Sequence, residues 1–274
     1  PSKPCPSAQG LSLPPDPNFC MTVFYLKLCM TPILMLAISL AGKRWGAQIG
    51  GLLSGLPVTS ALVMLFLSLE QGEAFASLAV PGALAGVAAV QATCLFYYGV
   101  TRRVGALVGC IAALAFFVLA ALATSHLGWV ALSVIATLLL VIAIVVATSK
   151  PADASAARYV PMPRWVIPMR MMTATLLLLV ITASATLLGP VVSGMLAPVP
   201  VIAWPLAVFA HVQGGRQELA AIIRGNGIGA VGVVGFYLTL QHTLLQWGAV
   251  MSIAIGVLLA VVVTFVLAKV LEAR

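Results

Sequence analysis

From Thr22 to Val270 the chain is a succession of apolar runs, and its few charges fall in the short gaps between them. Each run is about twenty residues long, the length at which a helix crosses the hydrocarbon core of a bilayer. In lipid every backbone donor and acceptor must be satisfied within the spanning structure, so such runs fold as helices. A membrane barrel would instead show alternating strands of about ten residues. Nine spans are read: Thr22–Ala41, Ala47–Leu69, Leu78–Tyr98, Gly105–Ser125, Leu127–Ser149, Trp165–Leu188, Val191–Val212, Leu219–Leu240 and Gln246–Val270. The fourth and fifth nearly touch at His126-Leu127-Gly128, where a helical hairpin is expected.

Composition excludes the soluble alternatives. Hydrophobic residues make up 62% of the chain and charged residues 7%, against about 45–50% and about 25% in soluble domains. Too few charges exist to solvate a water-soluble body. The expected fold is all-α, a polytopic helical membrane protein whose first partner is the lipid bilayer. The net charge of +8 does not point to nucleic acid, because no basic stripe with interleaved aromatics is present. With six acidic residues in the chain, carboxylate chemistry is scarce. No zinc-protease helix motif, phosphate-binding glycine loop or nucleophile elbow occurs, so no enzyme activity, cofactor or metal is expected.

The basic residues orient the spans. Lys43, Arg44, Arg102, Arg103, Lys150, Arg158, Arg164, Arg216, Arg224, Lys269 and Arg274 all fall on one side of a nine-span arrangement, and Arg170 belongs with them. Lys3 and Lys27 fall on the other. By the positive-inside rule the N-terminus lies outside and the C-terminus in the cytoplasm. Residues 1–20, rich in Pro and Ser, read as a disordered tail, with Met21 as a candidate start and Cys5 and Cys20 as a candidate pair if oxidised. Cys29, Cys94 and Cys110 lie in apolar runs and read as small core residues. The chain divides into a first transmembrane half (21–150), a cytoplasmic linker (151–164) and a second half (165–274).

The halves resemble one another. Gly51 to Val58 in span two is similar to Val192 to Val201 in span seven. Both runs lead to a Gln-Gly pair, Gln71-Gly72 and Gln213-Gly214, then to Gly82–Gly86 and Gly225–Gly229, then to Phe96-Tyr97 and Phe236-Tyr237. Five spans in the first half make the second enter with opposite orientation, an inverted repeat of five plus four spans. The unmatched span is expected to be the fourth. The repeated segments are also the least suited to a helix. Gly50, Gly51, Gly55 and Pro57 crowd span two, and Gly194, Pro198, Pro200 and Pro205 crowd span seven. Proline removes a backbone donor and clashes with the preceding turn. Paired breaks at matching positions of two halves point to a binding site, or equally to helices kinked for packing alone.

Candidate substrate-binding residues follow from these breaks: Ser54, Gly55, Pro57, Thr59, Ser60, Ser193, Gly194, Pro198 and Pro200. Arg224 and Asn226, in span eight beside Gly225–Gly229, join them, with Arg224 as the charge that would meet an anion. Singly, each hydroxyl is as well explained by a bond to backbone one turn earlier. Glu70 and His211, at pseudo-equivalent span ends, are candidates for proton coupling, weighed against simple solvation at the interface. Lys27 and Arg170, one turn into the first helix of each half, are expected to snorkel. The small-x-x-x-small pairs read as helix-packing surfaces, and a homodimer is compatible with them.

The run Gly194, Pro198, Pro200, His211, Gly214 resembles the short bacterial inner-membrane proteins of the GlpM-like type. The first half departs from that pattern: it carries Gly55, Pro57 and Gly72 but Leu69 or Glu70 where the histidine would fall. The resemblance covers about a third of the chain. It implies a bacterial inner-membrane protein formed by fused duplication of such a unit, and it implies no substrate. The function expected is a secondary transporter or exporter of a small molecule, bound between broken helices two and seven. The alternative is a non-transporting integral membrane scaffold or assembly factor.

Overall fold

The computed structural model describes residues 17–45, 55–125, 130–148, 165–199 and 203–272, and among these residues every regular element is a helix. In chain order they are α1 (Pro17–Trp45), α2 (Val58–Gln71), α3 (Glu73–Val100), α4 (Ala106–Ser125), α5 (Val130–Ala147), α6 (Val166–Leu196) and α7 (Ala203–Glu272). Five helical stretches among them are long and apolar enough to cross a membrane, which makes the molecule a helical membrane protein. α1 begins at Pro17, so the last four residues expected in the tail are helical; residues 1–16, and with them Cys5, lie outside the described residues.

The two longest helices are interrupted by glycine. Gly189 divides α6 into α6a (166–188) and α6b (190–196). Gly215 and Gly248 divide α7 into α7a (203–214), α7b (216–247) and α7c (249–272). Gly72, between α2 and α3, has the same backbone geometry, φ 88° and ψ 160°, as Gly215 at φ 71° and ψ −161°. That region is open to glycine alone. A single such residue therefore ends one helix and starts the next, where the sequence suggested polar loops of several residues. α3 accordingly starts at Glu73 rather than at Leu78.

α3 is the centre of the bundle and packs against α2, α4, α5, α6 and α7. Its buried residues are mostly Ala, Gly and Val, with Leu84 the one buried leucine among them. In lipid, apolar side chains gain nothing by leaving the solvent, and small residues that let backbones approach supply the packing instead. A Cβ at Gly82 would collide with the Val191 carbonyl, one at Gly86 with the Met195 carbonyl, and one at Gly194 with the Ala79 carbonyl. Around this seam the buried core gathers Met64, Phe66, Leu84, Ile181, Phe236 and Tyr237. The outward faces of α4, α5 and α7c carry exposed Leu, Val and Ile, as lipid-facing surfaces do.

Candidate functional site

The break ahead of α2 sets the site. Pro57 is the N-cap of α2, and its carbonyl accepts from the Ala61 amide at 2.7 Å. Without its own amide proton, Pro57 suits a helix start and prevents the helix from running back through Gly55. On the other side, α6b ends at Leu196 and the chain turns through Ala197, Pro198 and Val199. These two breaks, one from each half of the chain, face a single cavity.

That cavity has a volume of about 30 Å³ and is bordered by Gly55, Thr59, Ser60, Gln91, Pro198 and Asn226, with Leu56, Val87, Val90, Ala230 and Val233 as its apolar wall. It holds roughly two water molecules, at ~10–15 Å³ of such volume for each. Gln91 is 2% exposed and its Oε1 makes no hydrogen bond. The Asn226 amide nitrogen is directed at Cys94 Sγ, 3.8 Å away. The Ser60 hydroxyl faces the Tyr237 side chain, and neither it nor the Thr59 hydroxyl donates to a backbone carbonyl. By contrast Ser68, Thr93, Thr101, Thr137 and Thr182 each donate to the carbonyl four residues earlier. Thr59 and Ser60 stand in the first turn of α2, where the residues four earlier, Gly55 and Leu56, are not helical. Their hydroxyls therefore lack the backbone partner that serves as the ordinary explanation of a Thr or Ser in a span.

Of the residues singled out in the sequence, the structure brings Gly55, Thr59, Ser60, Pro198 and Asn226 together at the cavity. Ser54 and Pro200 lie outside the described residues. Pro57 is buried behind the lining and shapes the break. Ser193 is fully buried with an unpartnered hydroxyl, away from the lining. Gly194 is a packing residue against Ala79. Arg224 does not reach the cavity: it precedes Asn226 by two residues, about 200° around the helix, whereas Asn226, Ala230 and Val233 share the lining face. The lining has no charged side chain. Gln91 was missed by the sequence reading. Its signal was available, since an amide alone in an Ala-Gly-Val run of a span is costly unless it is used.

Glu70 and His211 occupy separate polar clusters. Lys27, expected to snorkel, is instead 4% exposed: its Nζ lies 2.5 Å from Glu70 Oε1 and donates to Thr182 Oγ1 at 2.7 Å. The reason is that an acid and a hydroxyl on neighbouring helices offer it partners, which a lone lysine in lipid lacks. The Arg170 side chain lies outside the described residues. His211 Nδ1 lies 3.3 Å from the Tyr97 hydroxyl. Tyr97 lines a second, smaller cavity with Cys94, Trp204 and Asn226, so Asn226 borders both. At opposite ends of the bundle, Glu73 Oε1 accepts from the Ala249 amide at the start of α7c, and Arg216 donates to the Tyr98 carbonyl at the end of α3. Each charge meets the helix end of opposite sign. Among the described residues no group of His, Cys, Asp and Glu is arranged to hold a metal.

Comparison of the chain with protein-family models, curated proteins and solved structures returned no match.

Proposed function

We propose that the protein is a secondary transporter or exporter of a small molecule in a bacterial inner membrane, with its substrate site at the cavity between the two helix breaks. The observation that carries this reading is the convergence of both Gly/Pro breaks on one cavity bordered by Gln91, whose amide oxygen is unpartnered. Breaks in spanning helices are tolerated where the backbone is buried in protein or lines a polar cavity, and such breaks from two related halves frame transporter sites.

The relation between the halves supports it. Gly215 stands 143 residues after Gly72 (215 − 72), and the same step separates Gly225 from Gly82 and Gly229 from Gly86. It also separates Arg170 from Lys27 and Pro200 from Pro57. In this register α6a corresponds to α1, α7a to α2, α7b to α3 and α7c to α4, which leaves α5 as the unmatched helix rather than the fourth span. Contacts across the halves are reciprocal. Gly86 packs against Pro198, and Gly229 packs against Gly55, the two partners related by the same step. Such exchange is what a pseudo-two-fold axis through the cavity produces.

The proposed topology of nine spans, with N-terminus outside, is supported by where the long-range contacts fall. Lys27, Glu70 and Thr182 all belong to outer span ends in that order, as do Glu73 and Ala249. Tyr97, His211, Arg216 and Tyr98 all belong to inner ends. The scaffold alternative uses the same glycines for packing, and Gly82, Gly86 and Gly194 do pack. Packing leaves the unpartnered Gln91 oxygen without a purpose. A solute-flux screen in vesicles holding the purified protein tests the reading. For any solute moved, Gln91→Leu is expected to lower flux by about tenfold, the worth of one hydrogen bond to a buried partner. Flux unchanged by both Gln91→Leu and Pro57→Ala removes the proposed site.

A further inference from the structure

The polar groups at the cavity share a chemistry. Gln91 Oε1 is a buried acceptor with no donor. Asn226 has its amide nitrogen turned to Cys94 Sγ, and its side-chain oxygen is a second amide acceptor at the lining. Thr59 and Ser60 add two hydroxyl oxygens on the lining of the same cavity, Ser60 also facing the Tyr237 side chain. These are four hard oxygen donors, contributed by α2, α3 and α7b. An unsatisfied buried carbonyl is destabilising, and a donor or a positive charge offsets that cost.

We infer that the cavity between the two breaks is a binding site for a single alkali-metal cation, held by Gln91, Asn226, Thr59 and Ser60. This rests on the transport reading, to which it adds a coupling ion. Several alternatives fit the lining less well. An anion would find no Lys, Arg or His there, and Arg224 lies on another face of α7b. A divalent ion would carry two charges into a site without a carboxylate, and desolvation of each charge costs several kcal/mol. Transition metals favour nitrogen and sulfur ligands, which the lining lacks. The volume of about 30 Å³ admits a bare ion and a single water. The first turn of α2 borders the cavity, and its backbone N–H groups oppose a cation. Binding is therefore weak and readily exchanged, which is what a coupling ion requires.

The test is the thermal melting of the full chain in detergent, in sodium chloride, potassium chloride or choline chloride at matched ionic strength. A ligand that binds only the folded state raises the melting temperature with its concentration. The expected result is a saturable rise of a few degrees with sodium or potassium over choline, lost in Gln91→Leu and in Thr59→Val and kept in Leu119→Ala on α4. Broadening of the sodium NMR line by the wild-type protein, displaced by potassium, checks the same site should Gln91→Leu fail to fold. Equal melting in all three salts overturns the inference and leaves an ordered water only. A cation effect that survives both lining variants overturns it as well, because the ion then binds elsewhere. The outcomes separate from those of the transport reading. Solute flux that persists without sodium or potassium, with equal melting, defeats the cation site alone. A cation-dependent melt with no flux of any solute defeats transport alone.

Discussion

α3 and α4 are consecutive, both apolar and both long enough to span a membrane, yet they occupy opposite environments. Of the most apolar stretch of each, 78% is buried in α3 and 11% in α4. The more hydrophobic helix is the outer one. α4 turns Leu107, Ile111 and Leu119 outward, while α3 turns Gly82, Gly86 and Gln91 inward. The lesson is that hydrophobicity sorts residues in water and ceases to sort them in lipid. What selects the centre of this bundle is the closeness of backbone approach and the need to enclose polar groups.

The contrast can be broken by substitution. Gly82→Leu on α3 places a side chain where the Val191 carbonyl stands, and a loss of more than about 4 kcal/mol is expected; the purified variant should fail to give a monodisperse peak on gel filtration. Lys27→Met leaves Glu70 without its cation and should cost about 3–5 kcal/mol. Lys27→Met combined with Glu70→Leu should recover most of that loss in a melting experiment, and failure to recover would assign Lys27 a role beyond the pair. Gly72→Ala adds a Cβ that meets no neighbour, so its expected cost of about 1–3 kcal/mol is backbone strain alone. A neutral result would show that the turn between α2 and α3 relaxes to negative φ. Leu119→Ala, on the outer face of α4, should change melting by no more than about 0.5 kcal/mol. A large loss there would mean that α4 is covered by another protein surface instead of lipid.

The site was legible to the extent that chain breaks are legible. Gly55, Pro57 and Pro198 announce interruptions that no apolar helix needs, and Thr59, Ser60 and Asn226 lie within one or two turns of the repeated glycines. Gln91 escaped because it carries no motif, and its importance comes from having no partner once α3 is surrounded. Arg224 was over-read because a charge near a glycine pair looks functional until the helix is given a rotation. Lys27 and Glu70 stand 43 residues apart, a separation across which pattern says nothing. The register of the repeat was also shifted by one at its key turn: Gln213-Gly214 resembles Gln71-Gly72, but the backbone breaks at Gly215.

The sequence alone determined the solvent and the secondary structure. Runs of about twenty apolar residues with almost no charge leave helices in a membrane as the sole way to satisfy the backbone. It also determined where those helices break, because proline and glycine act through local geometry. Only the tertiary structure decided which helix is central, that the two breaks share one cavity, that Lys27 is paired, and which polar groups remain unmet. Those outcomes depend on backbone-to-backbone distances between segments far apart in the chain, and helix periodicity in a uniformly apolar sequence carries no record of them.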